Sequence, residues 1–213
     1  MSEHMKLKAE LDFLTAIERG EVVTQMTLKQ RIGVSVGLIN ALLKRAVNKG
    51  YVKVRRAPYK RYAYYLTPQG FSEKSRLVAA YLESSIDFLR QARAQYTDVF
   101  GGALKQGGNR FALAGAGELA EIAILSTLCQ DVKSLVVLDP ATDRTEISGV
   151  RVVRDLVGQD IDAIVVTDAT NPQDMFENLR RTYPDAVILW PALLRITPDR
   201  DELIRAYDEG RAA

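Results

Sequence analysis

Between residues 22 and 72 the chain carries ten basic side chains, Lys29, Arg31, Lys44, Arg45, Lys49, Lys53, Arg55, Arg56, Lys60 and Arg61, and no Asp or Glu. In a protein whose formal net charge is only +2, that gap concentrates positive field in one place. It suits contact with a phosphate backbone, because each neutralised phosphate releases condensed counterions. A second constellation is Gly115-Ala116-Gly117-Glu118-Leu119-Ala120, a G-x-G-x-x-A turn, with Asp139 placed 22 residues after Gly117. Such glycines let a backbone approach a dinucleotide, and an acid at that distance is where ribose hydroxyls are held. Glu118 opposes a pyrophosphate, since a carboxylate at a helix start already complements the dipole and repels a second anion. The candidate ligand-binding residues are Gly115, Gly117, Glu118, Ala120, Asp139 and Thr167. The effector class they suit is a nucleotide or nucleotide-sugar with a neutral ribose or adenine at the turn. A purely structural turn is the open alternative.

Catalysis is not expected. The one His, His4, falls in a start read as disordered, and the one Cys, Cys129, lies among apolar residues at a helix end. Asp160, Asp162 and Asp168 read as strand-end turn formers rather than an acid/base pair. No spacing of Cys, His or acids suggests a metal site.

The elements that must position these residues follow from periodicity. Leu11, Phe13, Leu14 and Ile17 have helical spacing and predict a first helix ending near Gly20. Thr24 or Thr27 caps a second helix with Leu28 and Ile32 inward. Gly33 takes the positive φ of a tight turn, and Ser35 caps a third helix whose buried stripe is Ile39, Leu42, Leu43, Ala46 and Val47. Gly50 ends it. Residues 51–66 read as two strands meeting near Ala57-Pro58. Helix, turn, helix and basic hairpin together predict a winged helix-turn-helix. The third helix is then the recognition helix, with Ser35, Gly37, Asn40, Lys44 and Arg45 toward DNA, and the wing contributes Arg55, Arg56, Lys60 and Arg61. Gly37 serves either a close approach to DNA or packing on the second helix. The tyrosines of the hairpin read as core and edge packing.

Thr67-Pro68-Gln69-Gly70 reads as a turn leading into a long helix over residues 71–93. Leu77, Val78, Tyr81, Leu82, Ile86, Phe88, Leu89 and Ala92 are its apolar positions. Its length points to a homodimer interface, with packing on the second half as the alternative. Gly101-Gly102 and Gly107-Gly108 bracket an expected flexible connector. Beyond it, short apolar strands at 111–114, 134–138, 150–153, 163–167 and 186–190 alternate with helices at 119–128, 172–183 and 199–207. That alternation predicts a parallel sheet covered on both faces, a small Rossmann-like domain. The expected domains are therefore 1–71, a long helix at 72–100, and 101–213.

The run TLKQRIGVSVGLINALLKRAVNKGYVKVRR, followed by YAYYLTPQGFSEKSRL, resembles winged-helix regulators of the MarR type, in particular a branch associated with exopolysaccharide gene clusters. The resemblance covers about residues 10 to 95. In that branch an LTPEG-like turn joins wing to dimerisation helix, and Leu66-Thr67-Pro68-Gln69-Gly70 stands in that place. The resemblance implies a dimeric DNA-binding repressor or activator. The GAGELAEIA run resembles small Rossmann-like domains of sugar-modifying acyltransferases and of polysaccharide-cluster proteins.

Bulk properties agree with this division. Residues 1–108 hold 18 Lys and Arg against 9 Asp and Glu, and residues 109–213 hold 11 against 18. A basic half joined to an acidic half suggests that only the first meets nucleic acid. No apolar run approaches the roughly 20 residues of a membrane helix. A single cysteine allows no internal disulfide and fits a reducing cytoplasm. The expectation is a cytoplasmic transcription regulator binding double-stranded DNA, with a ligand-sensing or partner-binding second half. The rival is a nucleotide-sugar or dinucleotide-dependent enzyme carrying an accessory DNA-binding arm. An assembly protein whose second half recruits partners is the third possibility.

Overall fold

A computed structural model of the protein describes residues 3–18, 30, 32–57 and 61–199. The fold is mixed α/β, with a small antiparallel sheet and a six-stranded, mostly parallel one. The chain divides into two compact units, residues 1–87 and 88–213.

In the first unit, α1 (Glu3–Glu18) and α2 (Val36–Asn48) pack against a hairpin of β1 (Val52–Ala57) and β2 (Arg61–Leu66). Helix α1 is longer than its apolar spacing predicts, and Glu3 and His4 belong to it rather than to a disordered start. Ser35 caps α2, its Oγ accepting from the Leu38 N–H at 3.3 Å. Gly33 and Gly50 take the expected positive φ, +71° and +74°. Ile39, Leu42 and Ala46 are buried against Phe13, Leu14 and Ile17 of α1, while Val47 stays exposed. The cap residues Thr24 and Thr27 and the inward Leu28 lie outside the described residues. Gln30 and Ile32 have helical backbone.

The run Thr67-Pro68-Gln69-Gly70 does not form a free turn. It is the start of α3 (Pro68–Lys105). Thr67 caps that helix, its Oγ1 accepting from the Gly70 N–H at 3.0 Å and donating to the Gly50 carbonyl at 2.6 Å. Pro68 occupies the first helical position, where its missing N–H costs nothing. Gly70 is buried under the end of α2, and a Cβ there would fall 2.2 Å from the Tyr51 carbonyl oxygen. The motif therefore clamps hairpin, α2 and α3 together.

Helix α3 also outruns the expected residues 71–93. Gly101 and Gly102 are helical, not part of a connector, and the helix ends where Gly107 takes φ +93°. The two-unit division falls inside the helix, between Asp87 and Phe88. Two glycines cost about 1 kcal/mol each relative to Ala. The helix carries on because Ala92, Tyr96 and Phe100 on its inward side are fully buried in the core of the second unit.

That unit is built on β3 (Arg110–Ala114), β4 (Ser134–Leu138), β5 (Glu146–Ile147), β6 (Val150–Val153), β7 (Ala163–Val166) and β8 (Val187–Leu189), in the order β5-β6-β4-β3-β7-β8. All neighbours are parallel except β5, which pairs antiparallel with β6. At two residues, β5 is too short to leave a periodic signal. Continuous burial along β3 and β7 explains their unbroken apolar runs. Helices α4 (Glu118–Thr127) and α5 (Pro172–Thr182) join parallel strands. Tyr96 on α3 donates its hydroxyl to the Val166 carbonyl at 3.0 Å, and burial pushes that phenol's pKa up. Phe100 meets Phe111 edge to face at 5.1 Å. The expected helix at 199–207 lies outside the described residues, apart from Asp199.

Candidate functional site

The basic stretch separates into two groups. On α2 the buried side, centred on Ile39, Leu42 and Ala46, fixes the opposite ridge by helical spacing as Gly37, Ala41, Lys44 and Asn48, with Asn40 beside it; all five are exposed. A Cβ at Gly37 would meet only the Ser35 hydroxyl, at 4.0 Å, among the described residues. Arg45 sits on the flank of that ridge, its guanidinium donating to Glu10 of α1. Acids outside the basic stretch take up further bases. Glu18 holds Lys74, and Glu73 holds Arg76 through two hydrogen bonds of 2.8 and 2.9 Å. Those bonds to Arg76 draw the Glu73 pKa down, with Lys49 and Arg45 adding to the effect. No ion pair reaches Lys44, Lys53 or Arg55 among the described residues.

In the hairpin, register pairs Lys53 with Tyr65 and Arg55 with Ala63. The Arg55 guanidinium lies 5.7 Å from the Tyr65 ring centroid. Tyr64 packs in the core, as read from the sequence. Tyr62 and Tyr65, in contrast, are half exposed. The backbones of Arg56 and Arg61 are in β1 and β2, and Lys60 lies outside the described residues.

The glycine-rich turn sits where strand order reverses. Strand β3 is flanked by β4 and β7, and a crevice at the carboxyl ends of such strands is where open α/β sheets take ligands. Here the turn is occupied by the protein's own groups. Gly115 has φ +110°, and a Cβ on it would come within 2.9 Å of the Asp168 nitrogen. Thr167, fully buried, donates its hydroxyl to the Gly115 carbonyl at 2.7 Å and its N–H to the Ala114 carbonyl at 2.8 Å. Asp139 is committed at both oxygens, Oδ2 accepting from Ala116 N–H at 3.0 Å and Oδ1 from Ala141 N–H at 2.9 Å. Ala120 is fully buried, bringing α4 close to the sheet. Gly117 is the N-cap of α4 with open space where a side chain would project. Glu118 is exposed in the first turn together with Glu121. Of the six ligand-binding candidates, Gly117 and Glu118 face free space, Asp139 is half-buried, and Gly115, Ala120 and Thr167 are buried.

The strand-end acids are also accounted for. Asp162 accepts from Asn109 N–H and Arg110 N–H at 2.8 and 2.9 Å and pairs with the Arg110 guanidinium, which also meets Asp160. The Arg110 side chain, then the backbone donors, hold the Asp162 carboxyl well below the usual range. Asp168 accepts from Thr170 and Asn171 N–H groups ahead of α5. No group of three metal-ligating side chains occurs among the described residues. Among them no helix is long and apolar enough to cross a membrane.

Sequence reasoning missed a cavity of about 530 Å³ in the second unit, between the last turns of α3 and strands β7 and β8. Of the two glycine pairs in the sequence, Gly102, Gly107 and Gly108 line it. No protein-family model matches the chain, and no curated protein matches it.

Proposed function

We propose that the chain is a DNA-binding transcription regulator of winged-helix type. Helix α2 enters the major groove through its outer ridge, and the hairpin lies along the phosphates. The observation that carries this reading is the set Lys44, Lys53 and Arg55, which no ion pair reaches among the described residues, on a stretch without a carboxylate. Next to it lies a helix ridge offering Asn40 and the small Gly37 and Ala41. Asn40 is suited to a bidentate contact with adenine, and the small residues let the helix backbone come close. Arg45, held by Glu10, is left out of the base-reading set. Exposed apolar residues at helical spacing on α3, namely Val78, Leu82, Ile86 and Leu89, support pairing with a second copy. The second unit is Rossmann-like in strand order and serves as a sensor or partner-binding module. The reading assigns no catalysis.

The test is duplex-DNA binding by the full chain across a salt series. Affinity should fall linearly on a logarithmic scale, and Lys53→Ala with Arg55→Ala should reduce the slope by roughly 0.9 for each phosphate no longer neutralised. Asn40→Ala should instead narrow the gap between operator and random sequence. Tight binding that is indifferent to the double substitution at every salt concentration would remove the hairpin from the interface. No binding even at low salt would overturn the whole reading.

A further inference from the structure

We propose that the cavity beside the end of α3 is a binding site for a small aromatic amine in its protonated form. The inference does not depend on the DNA-binding reading. The space measures about 530 Å³, within the range of ligand pockets. Trp190 forms one wall, and Val99, Leu189 and Val187 supply apolar surface. Trp190 is held edge to face against Phe176, ring centroids 4.9 Å apart, so the indole is fixed rather than free to fill the space. An indole wall with apolar neighbours suits a flat ring, and an indole face also attracts a cation.

The charge of the ligand follows from the polar lining. Among the described residues, two carboxylates, Asp98 and Asp162, border the cavity and no Lys, Arg or His does. Asp162 is saturated by Arg110 and two backbone N–H groups, leaving exposed Asp98 as the carboxylate open to a ligand. The carboxyl end of α3 also borders the space, through Gly102, Ala103 and Gln106. That end is the negative pole of α3, offset in part by Lys105 of its last turn, so the preference for a cation rests chiefly on Asp98. Gln106 adds an amide oxygen that can accept from an amine.

Gly102 keeps the cavity open, and Gly101 beside it is just as unconstrained but does not line the space. Gly102 has ordinary helical backbone, so no positive φ requires glycine there, and a Cβ would meet nothing within 4 Å. The helix keeps a poor helix former at a position where neither conformation nor packing calls for one. It lines the cavity, and its missing side chain keeps that space open.

Trp190 is the only tryptophan in the chain, so its fluorescence reports this cavity alone. The full-length protein is titrated with 9-aminoacridine, cationic at neutral pH, and in parallel with uncharged acridine. Calorimetry is run alongside to exclude inner-filter artefacts. Saturable quenching with a calorimetric signal is expected for the cation, with acridine binding more weakly. Gly102→Leu should abolish binding while circular dichroism stays native, because the new side chain enters open space. Asp98→Asn should weaken the cation about tenfold and leave acridine unchanged, as expected when a charged hydrogen bond becomes a neutral one. No saturable response up to millimolar probe, or unchanged binding by folded Gly102→Leu, would overturn the site. Equal affinity for acridine and 9-aminoacridine would overturn the ligand class.

Discussion

One substitution, glycine to alanine, should have opposite signs at the two ends of α3. At Gly70 the added Cβ lies 2.2 Å from Tyr51 O and 3.0 Å from Leu66 Cγ, and the oxygen is backbone and cannot swing away. Relief requires the first turn of α3 to lift off the hairpin. That movement stretches the Thr67 N–H bond to Tyr51 O, now 2.9 Å, and the Thr67 hydroxyl bond to Gly50 O, now 2.6 Å. Overpacking costs about 1–3 kcal/mol. Two weakened hydrogen bonds add about 1 kcal/mol each. The better helix former returns about 1 kcal/mol. Gly70→Ala should thus destabilise the first unit by about 2–4 kcal/mol. At Gly101 and Gly102 a Cβ meets nothing within 4 Å, so Ala at either should stabilise by about 1 kcal/mol. Urea unfolding followed by circular dichroism gives the sign, and hydrogen exchange resolved by peptide assigns it to residues 1–87 or 88–213. Separate readouts are needed because two units need not unfold as one transition. A Gly70→Ala variant as stable as the parent protein would refute the clamp, and a loss of stability at Gly101 or Gly102 would refute the open space around them.

Three further outcomes follow from the same geometry. Asp139→Ala should destabilise the second unit by about 1.5–3 kcal/mol, because the Ala116 N–H loses a charged acceptor; an unchanged melting temperature would show the carboxylate is not a latch. Asp162 has its pKa depressed in the folded state, so its contribution is present above the ordinary aspartate value of about 3.9 and is lost as pH falls. Acid titration of stability should therefore be shallower for Asp162→Asn, and equal acid limbs would count against the Arg110 pairing. Leu82→Glu with Leu89→Glu should give monomers by light scattering, and a persistent dimer would move the interface off α3.

What the sequence made legible was whatever periodicity or a single residue type determines. Buried strands β3, β4 and β7 appear as continuous apolar runs, and Ser35, Gly33 and Gly50 mark the limits of α2 because caps and positive φ admit few residues. What it hid depends on tertiary partners. Gly101-Gly102 reads as a linker by local propensity, yet the burial of Tyr96 and Phe100 keeps the helix going through them. Thr67-Pro68-Gln69-Gly70 reads as a turn because turns and helix starts share Thr, Pro and Gly. Only the position of the Tyr51 carbonyl distinguishes them. Arg45 counts as one base among ten until Glu10, 35 residues away, is placed beside it.

The glycine-rich turn shows why spacing alone does not define a ligand site. A ribose-binding acid and an acid that latches its own turn both belong at the end of the second parallel strand, facing the first βα connection. Asp139 satisfies that placement, and its carboxylate is already bonded to the main chain at both oxygens. A nucleotide arriving there would have to share the half-buried Asp139 carboxylate with the Ala116 and Ala141 N–H groups, and Glu118 would stand beside the helix start where a phosphate belongs. Both requirements raise the free energy of an anionic ligand. At the carboxyl end of α3 the sign reverses: the open carboxylate of Asp98 is negative, Lys105 offsets only the helix pole, the wall is an indole, and a glycine leaves room. The electrostatics of the second unit thus favour a cation at one end of its sheet more than a nucleotide at the other.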